Sequence, residues 1–364
     1  MYNTIVIVGV GLLGGSLGLA IRRTYPEARV IGVSSSETIK RALEVDVITE
    51  GCGYSELSDV AQDADLVILC TPIHRIRGHI TVLARAVREG VLITDVGSTK
   101  RAITNHAAEV LPKGAHFVGG HPMAGSERRG VDAADPFLFQ NAIYVLTPAD
   151  GVPDDIVRKF SRFLDSIGAT VVVMEADIHD RIAAAVSHLP QMLAVALVKL
   201  AGRLDDENAP YLRLAAGGFR DLTRIASSPF GMWDDIFRSN DDAVKEIIDT
   251  FIDELQTLRD HIGSSDLGED FEVASITRAT IPKDTKGFLA PLHDVLVIVE
   301  DRTGELSEIS TVLFKANINI KDVEVLKVRE GEGGTMRFAF EDEESAKKAV
   351  QSLESIGYIA RLRR

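Results

Sequence analysis

The sequence predicts an α/β protein in three parts: a doubly wound domain over residues 1–173, an all-helical domain over 174–285, and a small βαββαβ domain over 290–364. Three observations predict it. Short apolar runs alternate with helical patterns through the first part, as a parallel sheet with crossover helices requires. From about Asp177 to Ala201 the chain is apolar on nearly every face, so that helix must be covered on all sides. The last stretch reads strand, helix, strand, turn, strand, helix, strand. A chain of 364 residues is long enough for two or three cores.

The first element is the apolar run 4–8, read as a buried parallel strand. It ends at Gly9, and Gly9, Gly11 and Gly14 form Gly-x-Gly-x-x-Gly where the strand meets a helix opening at Leu12. In that context the motif denotes a dinucleotide pyrophosphate site of the Rossmann type. The glycines permit the tight turn and close approach, and the helix N-terminus supplies N–H groups. The second strand, 29–33, is followed by Ser34, where an NAD enzyme usually carries an acidic residue for the ribose hydroxyls. Serine does not repel a 2′-phosphate, and Lys40 and Arg41 follow in the next helix, yet no arginine directly follows Ser34. NAD and NADP both remain open.

Further strands are expected at 66–70, 91–94, 117–118, 142–146 and 170–173, with helices around 75–89 and 99–110. Ligands of such sheets collect at the carboxyl ends of the strands. Thr71, Pro72 and residues 95–98 fall there, and Ser98 is expected to cap the helix after it. His121 follows the run 116–118 and precedes Pro122, between glycine-rich flanks. That places it at a strand tip in an open polar loop, either as a surface histidine or as a general base near pH 7.

In the helical part, His188 and Pro190 interrupt the apolar run, with a kink expected at the proline. The simplest cover for this apolar helix is a second copy of the chain, hence a homodimer. Arg220 and Arg224 stand at i and i+4, so both are expected on one helix face. There they either bind substrate carboxylates or pair with Asp221, Asp234 or Asp235. Residues 263–290 read as a linker. The final unit is expected as strand 293–299, helix 305–316, strands 318–329 and 335–340, helix 343–356 and strand 358–363.

The net charge of −14 argues against nucleic-acid and anionic-membrane partners. Cys52 and Cys70 form neither a disulfide framework nor a metal pattern, so no metal is expected. The chain starts directly with its first strand, leaving no room for a signal peptide, and no run is read as long enough to span a bilayer. The expected location is the cytoplasm.

The stretch Gly119-Gly120-His121-Pro122-Met123-Ala124-Gly125-Ser126-Glu127 resembles the signature of the prephenate dehydrogenase family, which includes arogenate and cyclohexadienyl dehydrogenases. Four further segments agree in order: Val8 to Ser16, Asp95-Val96-Gly97-Ser98-Thr99-Lys100, Ser187-His188-Leu189-Pro190, and Gly218 to Ala226. The resemblance implies oxidative decarboxylation of prephenate to 4-hydroxyphenylpyruvate. It makes His121 the proton acceptor and Ser98 the residue that orients it beside the nicotinamide. His188 becomes a substrate-pocket residue, Arg224 the substrate-carboxylate arginine and Arg220 a second cation. Trp233 matches a position near the pocket, though it could equally be core, and Glu127 stands at the pocket entrance or in solvent.

The C-terminal unit resembles an ACT domain at Asp301-Arg302-Thr303-Gly304-Glu305-Leu306 and at Ala316-Asn317-Ile318-Asn319-Ile320. This implies feedback by L-tyrosine at Asp301, Gly304 and Asn317. Three other readings compete. An arogenate-preferring enzyme of the same family would give tyrosine directly. A β-hydroxyacid dehydrogenase is disfavoured because Lys199 is followed at the required spacing by Arg203 instead of asparagine. A non-catalytic amino-acid sensor is disfavoured by the intact His121, Ser98 and Arg224.

Overall fold

The apolar pentapeptide Thr4–Val8 forms β1, and its last four residues are buried. It lies inside an eight-stranded sheet and pairs in parallel with β2 (Arg29–Val33) on one side. The computed structural model describes residues 1–125, 128–206, 208–281, 292–329 and 333–363. They fall into two units, Met1–Asp260 and His261–Arg364.

In the first unit the chain alternates as expected: α1 (Leu12–Thr24), α2 (Ser36–Glu44), β3 (Glu50–Cys52), α3 (Leu57–Ala61), β4 (Leu66–Leu69), α4 (Ile73–Leu83), β5 (Leu92–Asp95) and α5 (Arg101–Val110). Then follow β6 (His116–Pro122), β7 (Ile143–Pro148), α6 (Asp154–Ser166) and β8 (Thr170–Val173). The sheet order is β3-β2-β1-β4-β5-β6-β7-β8. All of β1, β4 and β5 beyond Thr4 is buried, which is why these strands read as unbroken apolar runs. One core, with Leu17, Ile21, Tyr144 and Phe160, covers one face; the other face carries Leu57, Ile76, Ile80 and Phe117.

Two details differ from the sequence reading. The sheet is not parallel throughout, because β7 runs antiparallel to β6. That pairing also carries β6 through His121 and Pro122, opposite Val145 and Tyr144. His121 is therefore a strand residue and not part of an open loop. Gly119 and Gly120 permit the close packing: a Cβ would stand 2.3 Å from Thr147 Oγ1 at the first and 2.5 Å from the Asp95 carbonyl at the second. The short strand β3, missed in the sequence, adds an edge beside β2.

The helical part begins with α7 (Ala176–Ala183), passes through one π-helical turn at Ala184–His188, and continues as α8 (Leu189–Leu204). Pro190 lies in the first turn of α8, where a missing N–H is least costly, and the wide turn before it accommodates the ring. The run Ala176–Leu204 is long and apolar enough to cross a bilayer by length and composition, contrary to the expectation that no such run exists. In this chain it is only partly covered within the first unit: His179, Asp180 and His188 are buried, while Ile178, Ile182, Val186, Leu197 and Leu200 are exposed. The short helix α9 (Gly217–Thr223), α10 (Phe230–Ser239) and α11 (Asp241–His261) complete this part.

In the second unit, α12 (Asp266–Thr280) replaces much of the expected linker. Asp266 and Glu269 in its first turn favour a helix start, a signal outweighed in the sequence by the neighbouring Gly263-Ser264-Ser265. The βαββαβ order is as expected: β9 (His293–Val299), α13 (Glu305–Lys315), β10 (Asp322–Arg329), β11 (Gly333–Phe340), α14 (Glu343–Glu354) and β12 (Ile359–Leu362). Its antiparallel sheet has the order β10-β11-β9-β12, packed through Val295, Val297, Ile309, Phe338 and Leu353.

Candidate active site

β1 has neighbours whose connections run in opposite directions across the sheet, β2 on one side and β4 on the other. A crevice opens at such a switch point, past the carboxyl ends of the strands. Gly9 sits there at φ 95°, and a Cβ on it would stand 2.8 Å from the Cys70 carbonyl. A Cβ on Gly14 would stand 2.1 Å from the Gly9 carbonyl, so α1 packs directly on the turn. Gly11 faces open space, with nothing within 4 Å of a Cβ position, and no side chain caps α1. The first N–H groups of α1 are thus presented to a cavity of about 550 Å³ that includes Gly11, Leu12, Thr71, Pro72, Gly97 and Ser98.

Thr71 is buried, and among the described residues its hydroxyl has no hydrogen-bond partner. An orphaned hydroxyl beside an uncapped helix N-terminus fits the phosphates and ribose of a dinucleotide. Ser34 is buried at the end of β2, its N–H donating to the Cys52 carbonyl. Arg41, a candidate for a 2′-phosphate, is instead occupied by Asp132 and Glu44. Arg128 and Arg129, not singled out in the sequence, also line the cavity.

Ser98 is not the helix cap expected of it: α5 starts at Arg101, with Lys100 in the capping position. The N-terminal amides are satisfied from a distant element, because Asp180 accepts from Lys100 N (2.7 Å) and Arg101 N (3.0 Å). Below the crevice, Asp95 and Lys100 are both fully buried and paired. They grip Gly120 from both sides: its N–H donates to Asp95 Oδ1 (3.1 Å), and its carbonyl accepts from Lys100 Nζ (2.7 Å). His121 follows directly. Its Nδ1 lies 2.8 Å from His179 Nε2, whose Nδ1 is 2.8 Å from Asp180 Oδ1. Among the described residues the ring's hydrogen-bond partner is His179, and Ser98 makes no hydrogen bond to it.

Burial above all, then repulsion from a proton on His179, from Lys100 and from a proton on His188, pushes His121 well below the ordinary histidine range. It is a neutral imidazole at pH 7 and able to accept a proton. His188 is 1% exposed in the π turn, edge-on to Trp233 and Phe237. Desolvation lowers its pKa to about 4, opposed by Asp180 and reinforced by His179. Trp233 stacks on Phe237, and among the described residues its indole N–H has no partner. Gln191, one turn on from His188, is also buried, with an Oε1 unpartnered among the described residues.

Arg220 and Arg224 do not share one regular helix. α9 ends at Thr223, and Arg224 opens a 3₁₀ turn. Thr223 bonds back to the Phe219 carbonyl (2.6 Å), a geometry that loosens a helix end. Both arginines are exposed, and among the described residues neither is in an ion pair. Asp234 is taken by Arg238 and Asp235 by His74. Neither arginine borders the dinucleotide cavity. Glu127 lies outside the described residues.

Residues 17–173 match the family described as prephenate dehydrogenase, nucleotide-binding domain, and residues 175–273 match that described as prephenate dehydrogenase, dimerization domain. The chain belongs to the prephenate dehydrogenase family. Prephenate dehydrogenase of Bacillus subtilis is 37% identical over 98% of this chain and 96% of its own length. The crystal structure of prephenate dehydrogenase from A. aeolicus, in complex with hydroxyphenyl propionate and NAD+, has a TM-score of 0.70 at 31% identity. It covers 76% of this chain and 97% of its own. The structure of Synechocystis arogenate dehydrogenase has a TM-score of 0.68 at 30% identity, covering 76% and 97%. Residues 293–358 match the ACT domain, as the C-terminal pattern predicts.

Within this prephenate dehydrogenase framework, His179 and Asp180 were missed by sequence reasoning. Nothing in Ile178-His179-Asp180-Arg181 marks them, and only the folded packing of α7 against α5 brings them to His121. Asp95 and Lys100 had a signal, since they open and close Asp95-Val96-Gly97-Ser98-Thr99-Lys100. Two opposite charges flanking a strand end in an apolar surrounding are candidates for a buried pair.

Proposed function

We propose that the chain oxidises and decarboxylates prephenate, giving 4-hydroxyphenylpyruvate, CO2 and reduced cofactor, with NAD preferred over NADP. The carrying observation is a half-buried, neutral His121 on β6, the strand next to β5, whose following residues Gly97 and Ser98 line the dinucleotide cavity, with no partner at Nε2 among the described residues. NAD, when bound, supplies the hydride acceptor. His121 takes the proton of the C4 hydroxyl as hydride leaves that carbon; loss of the ring carboxylate as CO2 restores aromaticity, and the C4 oxygen takes the proton back to give the phenol. The protein orients the ring and accepts one proton. Gly9, Gly11, Leu12, Gly14, Ser34, Thr71 and Pro72 form the cofactor site, with Ser98 beside it. The engagement of Arg41 by Asp132 supports NAD.

Arg224, helped by Arg220, holds the substrate carboxylates, while His188, Trp233 and Glu127 shape the pocket. The exposed apolar side of α7 and α8 is covered by a second copy, making a homodimer. Domain limits are 1–173, 174–285 and 290–364. The protein works in the cytoplasm, without a metal, and responds to L-tyrosine through its ACT domain.

The test is the appearance of NADH with prephenate, compared by kcat/KM with NADP and with arogenate. Higher kcat/KM for prephenate and NAD is expected. A preference for arogenate makes the chain an arogenate dehydrogenase, and no turnover of either substrate overturns the reading.

A further inference from the structure

We infer that Asp180 and His179 are positioning residues that fix the ring tautomer of His121, and so decide which of its nitrogens is the base. The inference deepens the proposed function and rests on its assignment of His121 as proton acceptor.

Asp180 anchors the relay. Its side chain is 1% exposed, and it receives two backbone amides, Lys100 N on Oδ1 and Arg101 N on Oδ2. Those N–H groups can only donate, so the carboxylate is held as an acceptor at the start of α5. The same Oδ1 lies 2.8 Å from Nδ1 of His179. An ionised carboxylate accepts and does not donate, so Nδ1 of His179 carries the hydrogen.

A neutral imidazole has one N–H. With Nδ1 protonated, His179 Nε2 carries the lone pair and accepts. It faces Nδ1 of His121 at 2.8 Å, so that nitrogen must donate. His121 is left with its lone pair on Nε2, the nitrogen without a partner among the described residues. Three steps thus convert a helix-capping carboxylate into the choice of basic atom. The other charged or titratable groups near His121 are Lys100, Asp95 and His188. Lys100 is paired with Asp95 and donates to Gly120, while Nδ1 of His188 faces the Asn240 amide at 3.4 Å. Among the described residues none of them is hydrogen-bonded to the His121 ring.

Without the carboxylate, His179 can present Nε2–H to His121. His121 Nδ1 would then have to accept, and its Nε2 would hold a hydrogen and lose its capacity as a base. Loss of a comparable orienting carboxylate costs serine proteases about 10⁴ in kcat through the wrong tautomer.

The experiment uses full-length protein with ¹⁵N-labelled histidine. Ring-nitrogen shifts at neutral pH report which nitrogen of His121 is protonated, with assignment by loss of the signal in His121→Asn. The same preparations give kcat and both KM values. Expected are an Nδ1–H tautomer in the parent chain and a mixture of tautomers in Asp180→Asn. The kcat of that variant falls by roughly 10²–10⁴ with little change in either KM. His179→Gln, which leaves the Asp180 contacts to Lys100 and Arg101 in place, separates the relay from helix capping and should show the same loss of kcat.

An Nε2–H tautomer in the parent chain overturns the inference. So does an unchanged tautomer in Asp180→Asn, even if kcat falls, since the loss is then structural. A shifted tautomer with unchanged kcat supports the relay and overturns His121 as the base, so failure of the two readings can be told apart.

Discussion

The ammonium of Lys100 faces the carboxylate of Asp95 with neither side chain exposed to solvent, and the pair holds Gly120 directly before His121. Burial lowers the Lys100 pKa, while Asp95 opposes that shift. Replacing one member leaves the other as an uncompensated buried charge, at a cost of about 3–5 kcal/mol. Lys100→Met should therefore lower unfolding free energy by that amount in a denaturant titration. Stability equal to the parent chain would mean that Asp95 finds another partner and that the pair does not secure β6.

His121→Asn keeps a polar side chain on β6 but removes the basic nitrogen. A positioned general base contributes typically 10²–10⁴, so kcat should fall by about that factor with KM little changed. Near-parental turnover would end the assignment.

Arg224→Ala tests carboxylate recognition. A hydrogen bond to a charged group contributes about 1.5–3 kcal/mol, so KM for prephenate should rise while the dissociation constant for NAD stays constant. Among the described residues Arg224 makes no ion pair, so its loss should not lower Tm. A fall in Tm with unchanged KM would assign it a structural role.

His188 gives a pH signature. Its pKa is about 4 in the folded chain against an ordinary 6.5, so the unfolded state binds the extra proton between those values. Stability therefore rises with pH across that window and is fully present above about pH 6.5, with a total of order 3 kcal/mol. His188→Gln should flatten the difference in unfolding free energy between pH 7 and pH 4. An equal pH slope in both proteins would exclude His188 as its source.

The strand–helix alternation and the succession of folds were legible because they rest on local periodicity: apolar runs of β1 and β4, and an apolar helix around Ala183. The glycine-rich turn was legible for the same reason, since its chemistry lies within six residues, Gly9 to Gly14. The surroundings of His121 were not. His179 is 58 positions away and reaches it only because α7 packs on α5. The antiparallel return of β7 was equally hidden, and with it the extension of β6 through His121. The break between Arg220 and Arg224, where α9 gives way to a 3₁₀ turn, was likewise invisible to helical spacing.

The last prediction concerns L-tyrosine. Gly304, at φ 101°, precedes α13 with open space where a Cβ would stand, and Asn317 at φ 57° ends the turn after that helix. Between them Glu305 is buried, paired with Arg302 and accepting from the Tyr358 hydroxyl (2.8 Å). This arrangement supports the loop carrying Asp301 and Gly304, whose backbone can approach a ligand carboxylate closely. Inhibition through it requires tyrosine to bind a less active arrangement more tightly, with a typical coupling of about 1–3 kcal/mol. The A. aeolicus relative aligns with 76% of this chain over 97% of its own length, so a shorter catalytic portion is a reasonable protein to make. Deleting residues 290–364 should abolish sensitivity to tyrosine and leave turnover of prephenate. Equal inhibition of both proteins, competitive with prephenate, would place tyrosine at the catalytic pocket and leave the C-terminal unit to another ligand.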